Sequence, residues 1–92
     1  MSVSPVILIS PRDNVAVALR NIAKGETVSL PDGRSITVSN DIPFSHKVAL
    51  EDLPAGATVL KYGESIGEAR ETIHRGDWVH THNLDIEDRR KP

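Results

Sequence analysis

The sequence predicts a small, mostly β domain, barrel-like or clip-like and rich in turns, with one short helix near the N-terminus. Three observations predict it. A single device occurs three times, as IAKGETV at 22–28, LPAGATV at 53–59 and IHRGDWV at 73–79. Each reads apolar residue, two residues, glycine, two residues, valine. That is an anchor, a turn in which glycine supplies positive φ, and a strand re-entering the core. The apolar runs between these turns are short, as in small β folds. With one Phe, one Tyr and one Trp among 92 residues, the core must come from Val, Ile, Leu and Ala. The spacing of the three glycines, 31 and then 20 residues, is not that of a solenoid. The plain alternative to true repetition is that glycine often precedes a strand.

The elements follow in order. VILI at 6–9 reads as a short strand, broken by Pro11. Asp13 or Asn14 can cap a helix over Val15 to Ile22, closed by Gly25. Ala16, Ala18, Leu19 and Arg20 favour that helix, and the two valines oppose it. Thr27–Leu30 and Ser35–Ser39 flank Pro31-Asp32-Gly33 and form a hairpin. His46–Leu50 reads as a strand with His46, Val48 and Leu50 on one face and Lys47 and Ala49 on the other. Thr58–Tyr62 is a strand ended by Gly63, and the ambiguous Ser65–Ile73 is read as a strand. One domain covers 1–86, and residues 87–92 (EDRRKP) read as a frayed tail.

Composition removes several function classes. With 11 basic and 13 acidic residues well interspersed, the net charge is −2, which gives no footprint for nucleic acid. The four-residue apolar run near the N-terminus is neither a signal peptide nor a membrane span. Without cysteine there are no disulfides and no thiolate metal sites, and the cytoplasm fits easily. No nucleotide-binding glycine loop and no nucleophile elbow is present.

The candidate chemistry sits in GDWVHTHNL at 76–84. If the strand continues from Trp78, then Trp78, His80 and His82 share one face, with Val79 in the core. Two imidazoles in register can hold part of a metal site or act as acid and base. H-x-H alone lacks a third ligand; Asp77, Asp85 or His46 could supply it. The competing reading is a solvated strand end. Asn83 either binds a carbonyl or hydroxyl or forms a turn. His46-Lys47 is a second candidate, as a carboxylate-binding pair or as a solvated turn exit. His74 reads as surface, and Tyr62 and Trp78 as packing residues that keep a polar tip.

ILISPRDNVAVAL (7–19), IAKG (22–25), IPFSHKVAL (42–50), LPAGATVLKYGESIGEA (53–69) and GDWVHTHNL (76–84) together resemble the SAF-type N-terminal domain of the altronate and galactarate dehydratase family. That family also has the domain as a separate small subunit, as in sulfolactate sulfo-lyase. The resemblance implies a β-clip (SAF, antifreeze-like) fold. It implies a part in dehydrating a hydroxylated sugar acid to a 2-keto-3-deoxy product, with a divalent metal, Fe2+ or Mn2+, shared with a large catalytic subunit or domain. It places His80 and His82 at the shared site, as metal ligands or as acid and base, with His46, Lys47 and Asn83 binding the substrate. The ending at RRKP after the histidine motif favours a small subunit over an excised domain. Self-association, a non-catalytic sugar-acid-binding or interaction module, a sulfolactate sulfo-lyase small subunit and a purely structural domain are the alternatives.

Overall fold

The computed structural model describes residues 5–8, 10–30 and 32–86, with Ile86 described by its backbone alone. Among the described residues, nine strands run in chain order: β1 Val6–Ile7, β2 Val15–Ala18, β3 Thr27–Ser29, β4 Ser35–Thr37, β5 Lys47–Ala49, β6 Thr58–Lys61, β7 Glu64–Ala69, β8 Trp78–Val79 and β9 Leu84–Ile86. All pairings are antiparallel. They make a four-stranded sheet in the order β1-β2-β5-β8, the hairpin β3-β4, and a three-stranded sheet β6-β7-β9. The expected tail at 87–92 lies outside the described residues.

The expected helix over 15–22 is not there: the described residues are all β, and VAVA is the strand β2. The reason is tertiary. Asp13 and Asn14, read as helix caps, are 7% exposed and bind a distant segment instead. Asp13 accepts from the backbone N–H of Tyr62 and Gly63 at 3.0 and 2.7 Å. Asn14 donates to the Thr58 carbonyl at 2.9 Å and accepts from Leu60 N–H at 2.8 Å. β2 is also apolar on both faces because it separates two cores. Ala16 and Ala18 face a cluster with Ile22, Val28, Ile36, Val38, Ile42 and Val48, whereas Val15 faces one with Ala49, Leu53, Val59, Ile73 and Val79. A strand buried on both sides shows no polar alternation and so resembles a helix in sequence.

The turn device is real and occurs four times. The fourth copy, IPFSHKV at 42–48, has Ser45 in the glycine position, with φ +70° beside Gly25 at +87°, Gly56 at +88° and Gly76 at +93°. The copies pair through their anchors. Ile22 and Ile42 exchange backbone hydrogen bonds of 2.9 and 2.8 Å, and Leu53 and Ile73 exchange two of 2.7 Å. The second pair repeats the first 31 residues on, down to side-chain detail. Asn21 Oδ1 accepts from Phe44 N–H, and Asp52 Oδ1 accepts from Arg75 N–H, each at 2.8 Å. β5 belongs to both halves, turning Val48 to the first core and Ala49 to the second.

Ser45 carries a side chain in the left-handed region, where an L-residue costs about 1–2 kcal/mol. Against glycine's greater chain entropy, Ser45→Gly is expected to gain about 1 kcal/mol. That corresponds to a rise in Tm of roughly 4–8 °C, read by thermal unfolding of the pair of proteins.

Candidate functional site

β5 and β8 bring two parts of the sequence together. Their register pairs Lys47 with Val79 and Val48 with Trp78. Carried one step past Lys47, it sets His46 across from His80, and their ring centroids are 4.7 Å apart. Trp78 takes the diagonal position, within reach of a long aromatic side chain. Its indole Nε1–H donates to His46 Nδ1 at 3.1 Å.

The strand does not continue through His82. β8 ends at Val79 and residues 80–83 turn back toward β9. Asn83 makes that turn: it is 5% exposed, its side-chain oxygen accepts from His80 N–H at 3.0 Å, and its amide donates to the Trp78 carbonyl at 2.9 Å. Both ends of the amide are thus bound to backbone. The turn still sets both histidine rings against the indole. His80 stacks on it with centroids 5.4 Å apart and planes 8° apart, and His82 lies at 5.2 Å, tilted by 46°. His82 is exposed, and His80 and His46 are half-buried. Trp78 also packs against the first core.

Lys47 alternates to the other face of β5, the side of Ala49 and Val79. It is half-buried, and burial, followed by the nearby Lys61 charge, lowers its pKa from the usual lysine value. The His80 pKa is lowered too, first by desolvation and then by the charges of His46, Lys47 and His82. Every charge acting on Lys47 and His80 in this way is cationic. Such a cluster attracts an anion and holds a neutral imidazole ready to accept a proton.

The sign of the His80 effect is fixed. A histidine whose folded pKa is depressed binds fewer protons folded than unfolded as pH falls below its ordinary value of 6.5. Its stabilising contribution is complete above that pH and is lost as pH falls through the folded pKa. Proton NMR titration is expected to give His80 a midpoint below 6.5, rising in Lys47→Met, where one repelling charge is gone. An unchanged midpoint in that variant would remove Lys47 from the electrostatics of the site.

The carboxylates named as third metal ligands are otherwise engaged. Asp77 accepts from His74 N–H at 2.8 Å, and Asp85 pairs with Arg70 at 2.7 Å. Among the described residues no three metal-binding side chains converge. His46 Nδ1 already holds the indole proton donor. These side chains do not fit a metal centre made by this chain alone.

Sequence reasoning undervalued two residues. Trp78 was readable only as packing, because its link to His46 needs the β5–β8 register. Lys61 gave no signal, because its closeness to Lys47 depends on how the second hairpin packs.

The described residues thus form an all-β domain with an imidazole-and-indole edge. No helix among the described residues is long and apolar enough to cross a membrane. Residues 4–87 match the altronate/galactarate dehydratase SAF domain, and the chain belongs to that family. It is 47% identical over 77 residues to altronate dehydratase of Escherichia coli (strain K12), covering 84% of this chain and 15% of that one. It is 38% identical over 73 residues to galactarate dehydratase (L-threo-forming) of the same organism, covering 79% and 14%. It is 52% identical over 48 residues to the (2R)-sulfolactate sulfo-lyase subunit alpha of Paracoccus pantotrophus, covering 52% of this chain and 72% of that subunit. The chain therefore spans about a seventh of the length of the dehydratases it matches.

Proposed function

We propose that this chain is the small subunit or N-terminal domain of a lyase that removes water from a hydroxylated sugar acid of the altronate or galactarate type. It completes its active site against a large catalytic partner. The observation that carries the reading is the His46–His80–Trp78 cluster at one edge of the sheet, with cationic surroundings. Kinship with two dehydratases supports it.

The residues suit the chemistry as follows. Lys47 and Lys61 draw the anionic acid toward the edge. His80, kept neutral, takes the proton from the carbon alpha to the carboxylate. The neighbouring hydroxyl accepts a proton from His82, at the exposed rim, and leaves as water. The resulting enol takes up a proton and becomes the 2-keto-3-deoxy acid. A divalent ion, Fe2+ or Mn2+, shared with the large partner would supply stabilisation of negative charge when bound. Partner surface over the half-buried rings excludes water. The cytoplasm is the proposed compartment.

A second reading keeps the same edge but changes the leaving group from water to sulfite. Its support is the sulfolactate sulfo-lyase subunit alpha, a relative of which this chain covers most of the length. One experiment separates the readings. The chain is mixed with a large subunit of each type and supplied with altronate, galactarate or sulfolactate, and the 2-keto product or released sulfite is measured. Product only in the mixture supports an enzyme component, and the productive acid selects between the two. No product in any mixture, with binding of the acid by the isolated chain, would leave a non-catalytic binding module.

A further inference from the structure

The indole N–H is a donor and nothing else. Its hydrogen bond of 3.1 Å to His46 Nδ1 requires the lone pair of that nitrogen. In the neutral ring the proton is therefore on Nε2. A general base or a metal ligand needs a free lone pair on imidazole. His46 has none in this arrangement: Nδ1 is engaged by the indole, and Nε2 carries hydrogen. What remains is a single N–H donor.

Trp78 is well held for such a task. Its backbone N–H donates to Asn40 Oδ1 at 3.1 Å, its carbonyl accepts from the Asn83 amide at 2.9 Å, and its ring packs on the first core. His80, 4.7 Å from His46 between ring centroids, has no hydrogen bond to the indole, which meets it by stacking. The two imidazoles are therefore held by different forces, and among the described residues only His46 has a partner that fixes its tautomer.

We infer that Trp78 is a positioning residue that fixes the Nε2–H tautomer of His46, so that His46 serves as a hydrogen-bond donor to an oxygen of the anionic acid. Proton abstraction is left to His80. The division of labour rests on the lyase reading above; the tautomer does not.

The test begins with the full chain, labelled with 15N, in mildly alkaline solution. The chain has one Trp, so its indole signal is unambiguous. Ring-nitrogen NMR is expected to show His46 Nδ1 bare and Nε2 protonated, with a 15N–15N coupling across the hydrogen bond to Trp78 Nε1. In Trp78→Phe that coupling is lost, and the His46 nitrogens move toward the averaged values of a ring exchanging tautomers. The exposed His74 stays unchanged. A protonated Nδ1 in the unaltered chain overturns the inference whether or not the variant folds, and so do His46 signals that Trp78→Phe leaves in place.

The donor role is read in the reconstituted enzyme. His46→Gln, which restores an N–H donor, is expected to keep kcat/KM at least tenfold above His46→Ala, a ratio of the size one hydrogen bond to a charged group supports. Equal losses would overturn the donor role. Failure of every mixture to turn over would count against the lyase reading and leave the tautomer to stand on the NMR result.

Discussion

Gly76→Ala is expected to destabilise the domain by about 3–5 kcal/mol, at the upper end for a single substitution. A β-carbon at Gly76 would overlap the backbone carbonyl oxygen of Thr37, which has no flexible end to move aside. The residue also stands at φ +93°, so strain adds to the overlap. Its own backbone joins the halves: Gly76 N–H donates to the Ala49 carbonyl, and the Gly76 carbonyl accepts from Ser39, both at 2.9 Å. Gly25→Ala and Gly56→Ala share the positive φ but meet nothing within 4 Å, so they are expected to cost only about 1–2 kcal/mol each. Urea unfolding of the three variants checks the order. Equal losses would mean that the Thr37 contact has no special weight. Because Gly76 lies two residues before Trp78, its variant should also blur the ring contacts of the site.

The second large effect is functional. His80→Gln in the reconstituted enzyme is expected to lower kcat by about 10²–10⁴, the usual range for removing an acid–base group. Stability at neutral pH should change little, because His80 is only half-buried and, among the described residues, its side chain is held by ring contacts alone. The measurement is turnover of the acid that proves productive, together with a thermal melt. Full kcat in a folded variant would take the proton-transfer role from His80. With the unaltered protein, the acid limb of the kcat profile is expected below pH 6.5, because the shift is downward from that value.

Much of this molecule was legible in the sequence, for identifiable reasons. The glycine turns were readable because positive φ selects glycine strongly, and three of the four copies obey it. The fourth was hidden because Ser45 occupies the same conformation without the usual residue. The strand β2 was read as a helix because its two-sided burial erases the period-two signal, and because Asp13 and Asn14 carry the chemistry of a cap while bonding across the fold. The histidine edge was legible as residues but not as an arrangement. His80 and His82 were placed together by a strand that in fact turns at Val79, and Asn83 restores their proximity by another route. His46 opposite His80, and the indole beside both, follow from a pairing of β5 with β8 that no local pattern announces.

The double membership of β5 has a consequence for how the domain can be divided. Neither the segment before it nor the segment after it is a complete folding unit, because each core needs alternate side chains from the same three residues. A cut within 47–49 leaves two fragments that each lack a wall. Unfolding should therefore be a single cooperative event, and amide exchange in the two halves should report one common opening free energy. For protein engineers this makes the domain an all-or-none graft: it can be fused, moved or exchanged between enzymes as a whole, but not halved.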